Sequence, residues 1–483
     1  MGLLGILLGL AALVWLSFRG WSVLILAPLA GLVVALAGGE PLLAHWTQTF
    51  MGAAAGFLAQ FFPLFLLGAL FGKLMEDSGS IAAIAQFLTE KLGAKRAILA
   101  VVIAGALVTY GGVSLFVAFF VLGPMAQALF RAADIPGRLM PPAIALGTLT
   151  FTMTGLPGTP AIQNAIPMPF FGTTPFAAPG LGLIASAMML GFGLWWLGRV
   201  EARARRRGEG YGAIAVSVDA AAESPLVRER ATTASTFDPP EVHRGHAVGK
   251  PPGIVIAMLP LAVVVLVNLV MSLGVLPRLD TNFLAEDRWG GVTLASVSGV
   301  WSVVVALASA SVVLVVLNRG RLSGLRESVD AGANASALPV LSVASLVGFG
   351  SVVAAMPAFA VVSDWVLSIE GGPLVSLAVS TNILAGLTGS ASGGLTIALN
   401  ALGGPYMQLA TELGIDPALM HRVASLAAGT LDSLPHNGAV VTLLAVCGAT
   451  HKQSYLHIMM VDMVGPAIGL VAVIVLGSTF GSF

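Results

Sequence analysis

The chain has 483 residues, of which 57% are hydrophobic and 10% charged, and its 23 basic and 23 acidic side chains leave no net charge. Soluble domains carry about 25% charged residues, so a chain with mean hydropathy +0.93 belongs in a bilayer, and its neutrality argues against a nucleic-acid partner. The single cysteine, Cys447, excludes an internal disulfide and any multi-cysteine metal site, and reads as a small apolar residue in a helix.

One crossing takes about 20 apolar residues, and roughly ten to twelve such windows recur along the chain. The first, residues 3–18, lacks a basic leader and a small-residue cleavage site, which predicts a retained helix rather than a signal peptide. A long apolar window then ends at Lys73-Leu74-Met75-Glu76-Asp77, whose acids are expected to cap the stretch that follows. That stretch, 76–96, closes on Lys91, Lys95 and Arg96 and is expected along the cytoplasmic surface.

A break interrupts the next apolar window at Thr109-Tyr110-Gly111-Gly112-Val113-Ser114-Leu115. Gly123-Pro124-Met125-Ala126-Gln127, Pro136 and Gly147-Thr148-Leu149 follow it. A second break then runs over 152–164, containing Thr154, Pro157, Gly158, Thr159, Pro160 and Asn164. After the apolar window 179–197 comes a polar stretch, 201–250, opened by Arg203, Arg205, Arg206 and Arg207 and carrying Asp238-Pro239-Pro240. It has no apolar period and reads as a linker that the positive-inside rule places in the cytoplasm. Residues 254–276 then run outward and 291–317 return, which leaves Arg319, Arg321 and Arg326 inside. With Arg19 and Lys73 also inside, the two halves open in opposite directions.

The second half repeats the punctuation of the first. Its first break is Thr388-Gly389-Ser390-Ala391-Ser392-Gly393-Gly394. Gly404-Pro405-Tyr406-Met407-Gln408, Pro417 and Gly429-Thr430-Leu431 follow in the same order, then a second break, Asp432-Ser433-Leu434-Pro435-His436-Asn437-Gly438. The expected architecture is an all-α polytopic membrane protein of two inverted-topology repeats, 1–200 and 251–483, with re-entrant hairpins and broken transmembrane helices. Paired breaks of this kind mark secondary transporters, whose substrate sits where broken helices meet at mid-membrane.

Proline removes a backbone donor and frees a carbonyl one turn back, and irregular backbone survives at membrane depth only inside protein or beside a wet cavity. The candidate substrate-binding residues are therefore Gly111, Gly112, Ser114, Gly158, Thr159, Asn164, Ser390, Ser392, Gly393 and Asn437. Amides at half-helix N-termini suit a small carboxylate. Arg131, Arg138, His421 and Arg422 read as lying in connecting segments. Asp432 and His436 stand four apart, so a helical setting puts them on one face; they are the candidate proton-coupling pair, with sodium held by hairpin carbonyls as the alternative ion. Asp462, near the start of the last apolar run, fits burial at an interface and coupling equally.

The segments 71–79, 109–117, 156–164 and 433–440 together resemble the gluconate permease family, and the likeness extends over nearly the whole chain outside the polar linker. The resemblance implies proton symport of a small hydroxy-acid across the bacterial inner membrane, and a fold like that of the ion-transporter superfamily. Facing hairpin tips and helix breaks there form the substrate site, and a homodimer is the expected assembly. By that likeness the matching positions are Gly111, Gly112 and Ser114, residues 157–164, 390–394 and 432–437. Close relatives often carry an acidic residue where Thr154 stands, which leaves Asp432 as the protonatable group. The linker and Phe170-Phe171-Gly172-Thr173-Thr174 favour 3-hydroxybutyrate over gluconate. No cofactor or metal is implied.

The rival class is an intramembrane enzyme using Ser433 and His436 as nucleophile and base. Neither an HExxH motif nor a nucleophile elbow is present to support it. A channel is a third reading, and it would lack gradient-driven accumulation.

Overall fold

The computed structural model describes residues 2–19, 21–212, 237–238, 241 and 250–483; most of the expected linker lies outside them. All regular elements among the described residues are helical, the solution that satisfies every backbone donor and acceptor within one segment when no water is at hand. The first half runs α1 Gly2–Phe18, α2 Val23–Gly38, α3 Leu42–Asp77, α4 Ser80–Leu92, α5 Ala97–Tyr110, α6 Leu115–Ala132, α7 Met140–Thr148 and α8 Pro179–Arg206. The second runs α9 Ile254–Arg278, α10 Leu294–Leu317, α11 Leu325–Ala354, α12 Phe359–Leu367, α13 Gly372–Thr388, α14 Ala391–Leu413, α15 Pro417–Ala428, α16 Gly438–Val446 and α17 His451–Phe480. The opening of the polar stretch continues α8 as far as Arg206, so a linker can begin only beyond that residue.

Among the described residues, seven helices are long and apolar enough to cross a bilayer: α3, α6, α8, α9, α10, α11 and α17. The other apolar windows are of two kinds. Three are shorter, α1, α2 and α13, and one is a pair, α4 and the segment Ala94–Tyr110, bent by 102°. That bend sets the amphipathic α4 across the direction of the hairpin arm it precedes.

Two antiparallel pairs are the re-entrant hairpins. In the first, α5 and α6 meet at Gly111–Ser114; in the second, α13 and α14 meet at Gly389–Ser390. Polar contacts show which end each hairpin opens from. Arg205 Nη2 donates to the Ala133 carbonyl (3.2 Å), the Tyr211 amide to Asp134 Oδ1 (2.9 Å), and Arg138 to both Glu209 oxygens (2.6 and 2.9 Å). The end of α8 therefore lies at the α6–α7 corner. The hydrogen-bonded Arg138 guanidinium also holds the Glu209 carboxyl below the usual carboxylate range. Gly79 rests against Pro251, and Arg321 Nε donates to the Lys250 carbonyl (3.4 Å), so the end of α3, the start of α9 and the end of α10 lie together. At the other end, the Gly180 amide donates to the Phe483 carbonyl (2.7 Å), Ser482 bonds Asp416, and Gly38 lies against Met356. The first hairpin thus opens where α8 ends and the second where α17 ends. The two halves are inverted copies.

Glu76 and Asp77 do not cap α4, as the sequence suggested; Gly79 precedes that helix with no side-chain cap. They pair instead with Lys73, which is 1% exposed, at 3.2 and 2.9 Å. A lysine carried into the interior keeps its charge only beside such partners, and burial of Lys73 requires them one turn on.

Glycine sets how closely the arms approach. A Cβ on Gly394 would stand 2.2 Å from the Ala385 amide nitrogen, and one on Gly147 would stand 2.4 Å from the Val102 carbonyl oxygen. Such backbone-to-backbone contact is how membrane helices associate when lipid provides no hydrophobic drive. Large apolar side chains such as Trp15, Leu36, Leu43, Val255 and Leu266 point outward on the apolar helices, the expected face toward lipid.

Candidate functional site

The first hairpin tip packs on the first helix break. Gly112 has φ +98°, and a Cβ there would meet Pro160 at 3.1 Å and Leu307 at 3.2 Å; glycine is what admits both the turn and the approach. The Tyr110 hydroxyl donates across to the Pro157 carbonyl (2.8 Å). A Cβ on Gly111 would run into Leu261 of α9. Between tip and break lies a cavity of about 60 Å³ lined by Gly68, Thr109, Gly112, Ser114, Pro160 and Gln163, among others, several times the volume one water requires. The α6 helix begins at this cavity, and its start receives no side-chain cap from Ser114. Its first amides keep the partial positive charge of a helix N-terminus.

Behind the cavity the break is held by side chains from other helices. Gly158 (φ +79°) donates its amide to the Pro175 carbonyl (2.9 Å), and its own carbonyl accepts from Asn268 Nδ2 of α9 (2.9 Å). Asn164 is fully buried and donates to the carbonyls of Thr159 and Pro175, both at 3.0 Å. Its Oδ1 accepts from Arg422 Nη1 (3.3 Å) and His421 Nε2 (3.1 Å). His421 Nδ1 meets the Thr173 hydroxyl at 2.6 Å, so the neutral Nε2–H tautomer satisfies both contacts. Arg422 also donates to the Thr154 carbonyl (3.1 Å) and twice to the Ala177 carbonyl (3.1 and 2.6 Å).

This corrects the reading of His421 and Arg422 as connector residues. Both are fully buried, and α15 of the second half carries them into the break of the first. No carboxylate pairs with Arg422 among the described residues. An uncompensated guanidinium thus stands behind the cavity.

The second tip packs on the second break. Ser390 accepts from the Gly393 amide (3.1 Å) and lies 3.3 Å from Ser392 Oγ, while Asn437 Nδ2 donates to the Gly389 carbonyl (2.9 Å). Asn437 Oδ1 also accepts from the amides of Ala439 and Val440 (2.6 and 3.2 Å), which caps α16. The two helix starts in this half are therefore already capped by side chains, unlike α6. Residues 429–437 are not helical, so Asp432 and His436 do not share a helix face as expected. His436 Nε2 lies 3.2 Å from the Gly386 carbonyl. Asp432 lies beside Ala391 at the start of α14 and accepts from Ser433 Oγ (3.3 Å). The Ser433 hydroxyl also reaches Asp462 Oδ2 at 2.5 Å. Asp462 is fully buried in the π-helical turn Met460–Val464. The hairpins interlock: α6 packs against α16, and α14 against the short helices Ile162–Ala165 and Pro167–Phe171 that follow the first break.

A relative from Bacillus subtilis (strain 168), the uncharacterized transporter YxjC, is 40% identical over 488 residues, which spans the whole of both chains. The family described as GntP family permease matches residues 1–168. The chain belongs to the GntP permease family. This permease is also similar to the high-affinity gluconate transporter of Escherichia coli (strain K12), 34% identical over 163 residues that make up 33% of this chain and 35% of that one. Among solved structures it resembles Neisseria gonorrhoeae MtrF, described within a class of antimetabolite efflux pumps, with a TM-score of 0.54 at 15% identity over 95% of this chain and 94% of the other. At that identity the likeness is one of fold alone: a polytopic helical bundle.

Of the site residues expected from sequence, the permease brings Gly111, Gly112 and Ser114 to Gly158, Thr159 and Asn164 around one tip. Ser390, Ser392, Gly393, Asp432, His436 and Asn437 gather around the other. Sequence reasoning missed Asn268, His421, Arg422 and the contact of Asp462 with Ser433. A signal existed for two of them: Asn268 is a lone amide in an apolar span, and Arg422 is a cation on a helix without acidic neighbours.

Proposed function

We propose that this permease is a secondary active transporter that imports a small hydroxy-carboxylate, such as 3-hydroxybutyrate or gluconate, with protons across a bacterial inner membrane. One observation carries the reading: the start of α6, without a side-chain cap, opens on a cavity where Thr109, Ser114, Thr148 and Gln163 stand among apolar side chains, and Arg422, with no carboxylate partner, bonds Asn164 next to Gln163. Helix-start amides and a desolvated cation favour an anion. Thr109, Ser114 and Gln163 supply hydroxyl and amide partners for a hydroxylated one. The name of the Escherichia coli relative supports the same substrate class.

The two halves act as two moving repeats, the first extended through α8 to Arg206 and the second beginning at 251, joined by a linker beyond Arg206, and their basic ends lie in the cytoplasm. Each half presents one tip to the bilayer centre, where alternating access exchanges the side to which the cavity opens. Asp432, with His436 nearby on the second tip, is the coupling group, and the assembly is a homodimer. The enzyme reading paired Ser433 with His436, but the Ser433 hydroxyl contacts Asp432 and Asp462 while His436 Nε2 lies at the Gly386 carbonyl (3.2 Å), so the geometry gives that pair no support.

Uptake of labelled 3-hydroxybutyrate and gluconate into proteoliposomes tests this, under an inward proton gradient without sodium. Accumulation above equilibrium that collapses with a protonophore is expected. Uptake only after sodium is added moves coupling to the hairpin carbonyls, equilibration without accumulation identifies a channel, and no uptake of either acid sinks the substrate class.

A further inference from the structure

The second break holds two carboxyl groups and one hydroxyl in contact. Ser433 Oγ lies 2.5 Å from Asp462 Oδ2 and 3.3 Å from Asp432 Oδ1. Asp462 is fully buried and Asp432 is 7% exposed. The remaining Asp462 oxygen, Oδ1, is buried with no hydrogen-bond partner. No lysine or arginine pairs with either acid among the described residues.

The surroundings supply no counter-charge. The Tyr455 hydroxyl donates to the Ser433 carbonyl (3.2 Å), His451 Nε2 meets the Pro435 carbonyl (2.7 Å), and His436 Nε2 meets that of Gly386 (3.2 Å). His457 lies at Arg138, which is itself committed to Glu209. Lys452, on α17, is exposed. Packed against the π-helical turn, α7 carries no titratable side chain, and α8 places Phe192 and Met189 beside Gly465. The α13 helix carries none either.

Two arguments then converge. Two carboxylates bridged by one hydroxyl, away from water and from cations, do not both stay ionised; one takes a proton or the pair takes a cation. The hydroxyl also carries a single proton to donate. With Ser433 between two carboxylate oxygens, one contact is donated by serine, and the other becomes a hydrogen bond only when a carboxyl donates to Oγ. The set Asp–H, Ser–OH, Asp⁻ makes a hydrogen bond of both contacts.

We propose that Asp432, Ser433 and Asp462 form one proton-binding site, which holds a single proton between the two carboxyls across the Ser433 hydroxyl. It spans both elements that must separate if the second repeat rearranges: Asp432 lies beside the first residue of α14 next to the hairpin tip, while Asp462 belongs to α17. Movement of the tip alters one end of the bridge and not the other, which couples proton occupancy to hairpin position. The assignment of this proton to transport rests on the symport reading above; the proton count does not.

The count is tested first, by infrared spectroscopy of the purified full-length protein in lipid at neutral pH. Parent minus Asp432→Asn/Asp462→Asn should show one protonated carboxyl and one carboxylate lost per molecule. Ser433→Ala should shift the carboxyl stretch to higher frequency, because it removes the bridging hydroxyl and little else. Two carboxylates lost, two protonated carboxyls lost, or an unmoved stretch in Ser433→Ala overturns the shared-proton site. Transport is read second: Asp462→Asn should retain substrate exchange at zero gradient and lose proton-driven accumulation. Parental accumulation in Asp462→Asn, or loss of exchange and accumulation together in protein that is monodisperse and thermally stable, overturns its coupling role. If the parent accumulates neither acid, the functional reading fails, and the infrared result still decides the site.

Discussion

Arg422 keeps a permanent charge where water does not reach, and its donors go to the carbonyls of Thr154 and Ala177 and to Asn164. Those carbonyls are the acceptors that an unwound chain leaves without partners. An unpaired buried acceptor costs about 1–3 kcal/mol, so Arg422→Met should lower the thermal unfolding midpoint in detergent and raise the KM for an anionic substrate roughly tenfold, about 1.4 kcal/mol. Arg422→Lys keeps the charge but replaces a planar fork with a point donor that cannot span both carbonyls. It should fall between parent and Met in both readouts. An unchanged KM in Arg422→Met would remove the residue from substrate selection. The sequence showed the arginine but not its address, because Thr154 and Ala177 lie more than 240 positions away.

At the scale of elements, the hairpins depend on glycines at arm crossings as much as on those at the tips. Gly394→Ala would place a methyl 2.2 Å from the Ala385 amide nitrogen, whereas a methyl on Gly404 of the same α14 helix meets nothing within 4 Å. Overpacking of this kind costs about 1–3 kcal/mol or more. Alanine at an open helical position gains up to about 1 kcal/mol instead. Gly394→Ala should therefore lose thermal stability and uptake together, while Gly404→Ala matches or exceeds the parent; equal midpoints for the two would contradict the close approach of α13 and α14. The breaks themselves were readable, since clustered glycine and hydroxyl residues have no use in a plain span. Which apolar windows were hairpin arms was not. The 14-residue arm α5 is apolar all round, like a crossing helix, and only its antiparallel pairing with α6 identifies it.

Across the whole molecule, the inverted arrangement puts Lys95 at the end where the first hairpin opens and Glu412 at the end where the second does, both exposed. The one native cysteine, Cys447, is fully buried, so a single introduced thiol reports with little background. In intact cells an impermeant thiol reagent should label Glu412→Cys, and label Lys95→Cys only after lysis. Labelling of both in intact cells would contradict the inversion. The reverse pattern would keep it and turn the protein over in the membrane. From composition and punctuation alone the chain had to be a helical bilayer protein of two like halves: apolar windows require internal backbone pairing, and the order of Gly-Pro, Pro and Gly-Thr-Leu signals recurs. The opposite directions of the two halves were also expected from where basic residues fall. Tertiary structure decided what lies across from what. It carried Arg422 of one half into the break of the other, left α6 uncapped while Ser390 and Asn437 capped their own helices, and set Asp462 rather than a helical neighbour against Ser433. Those pairings depend on contacts between segments far apart in the chain, and local pattern holds no record of such contacts.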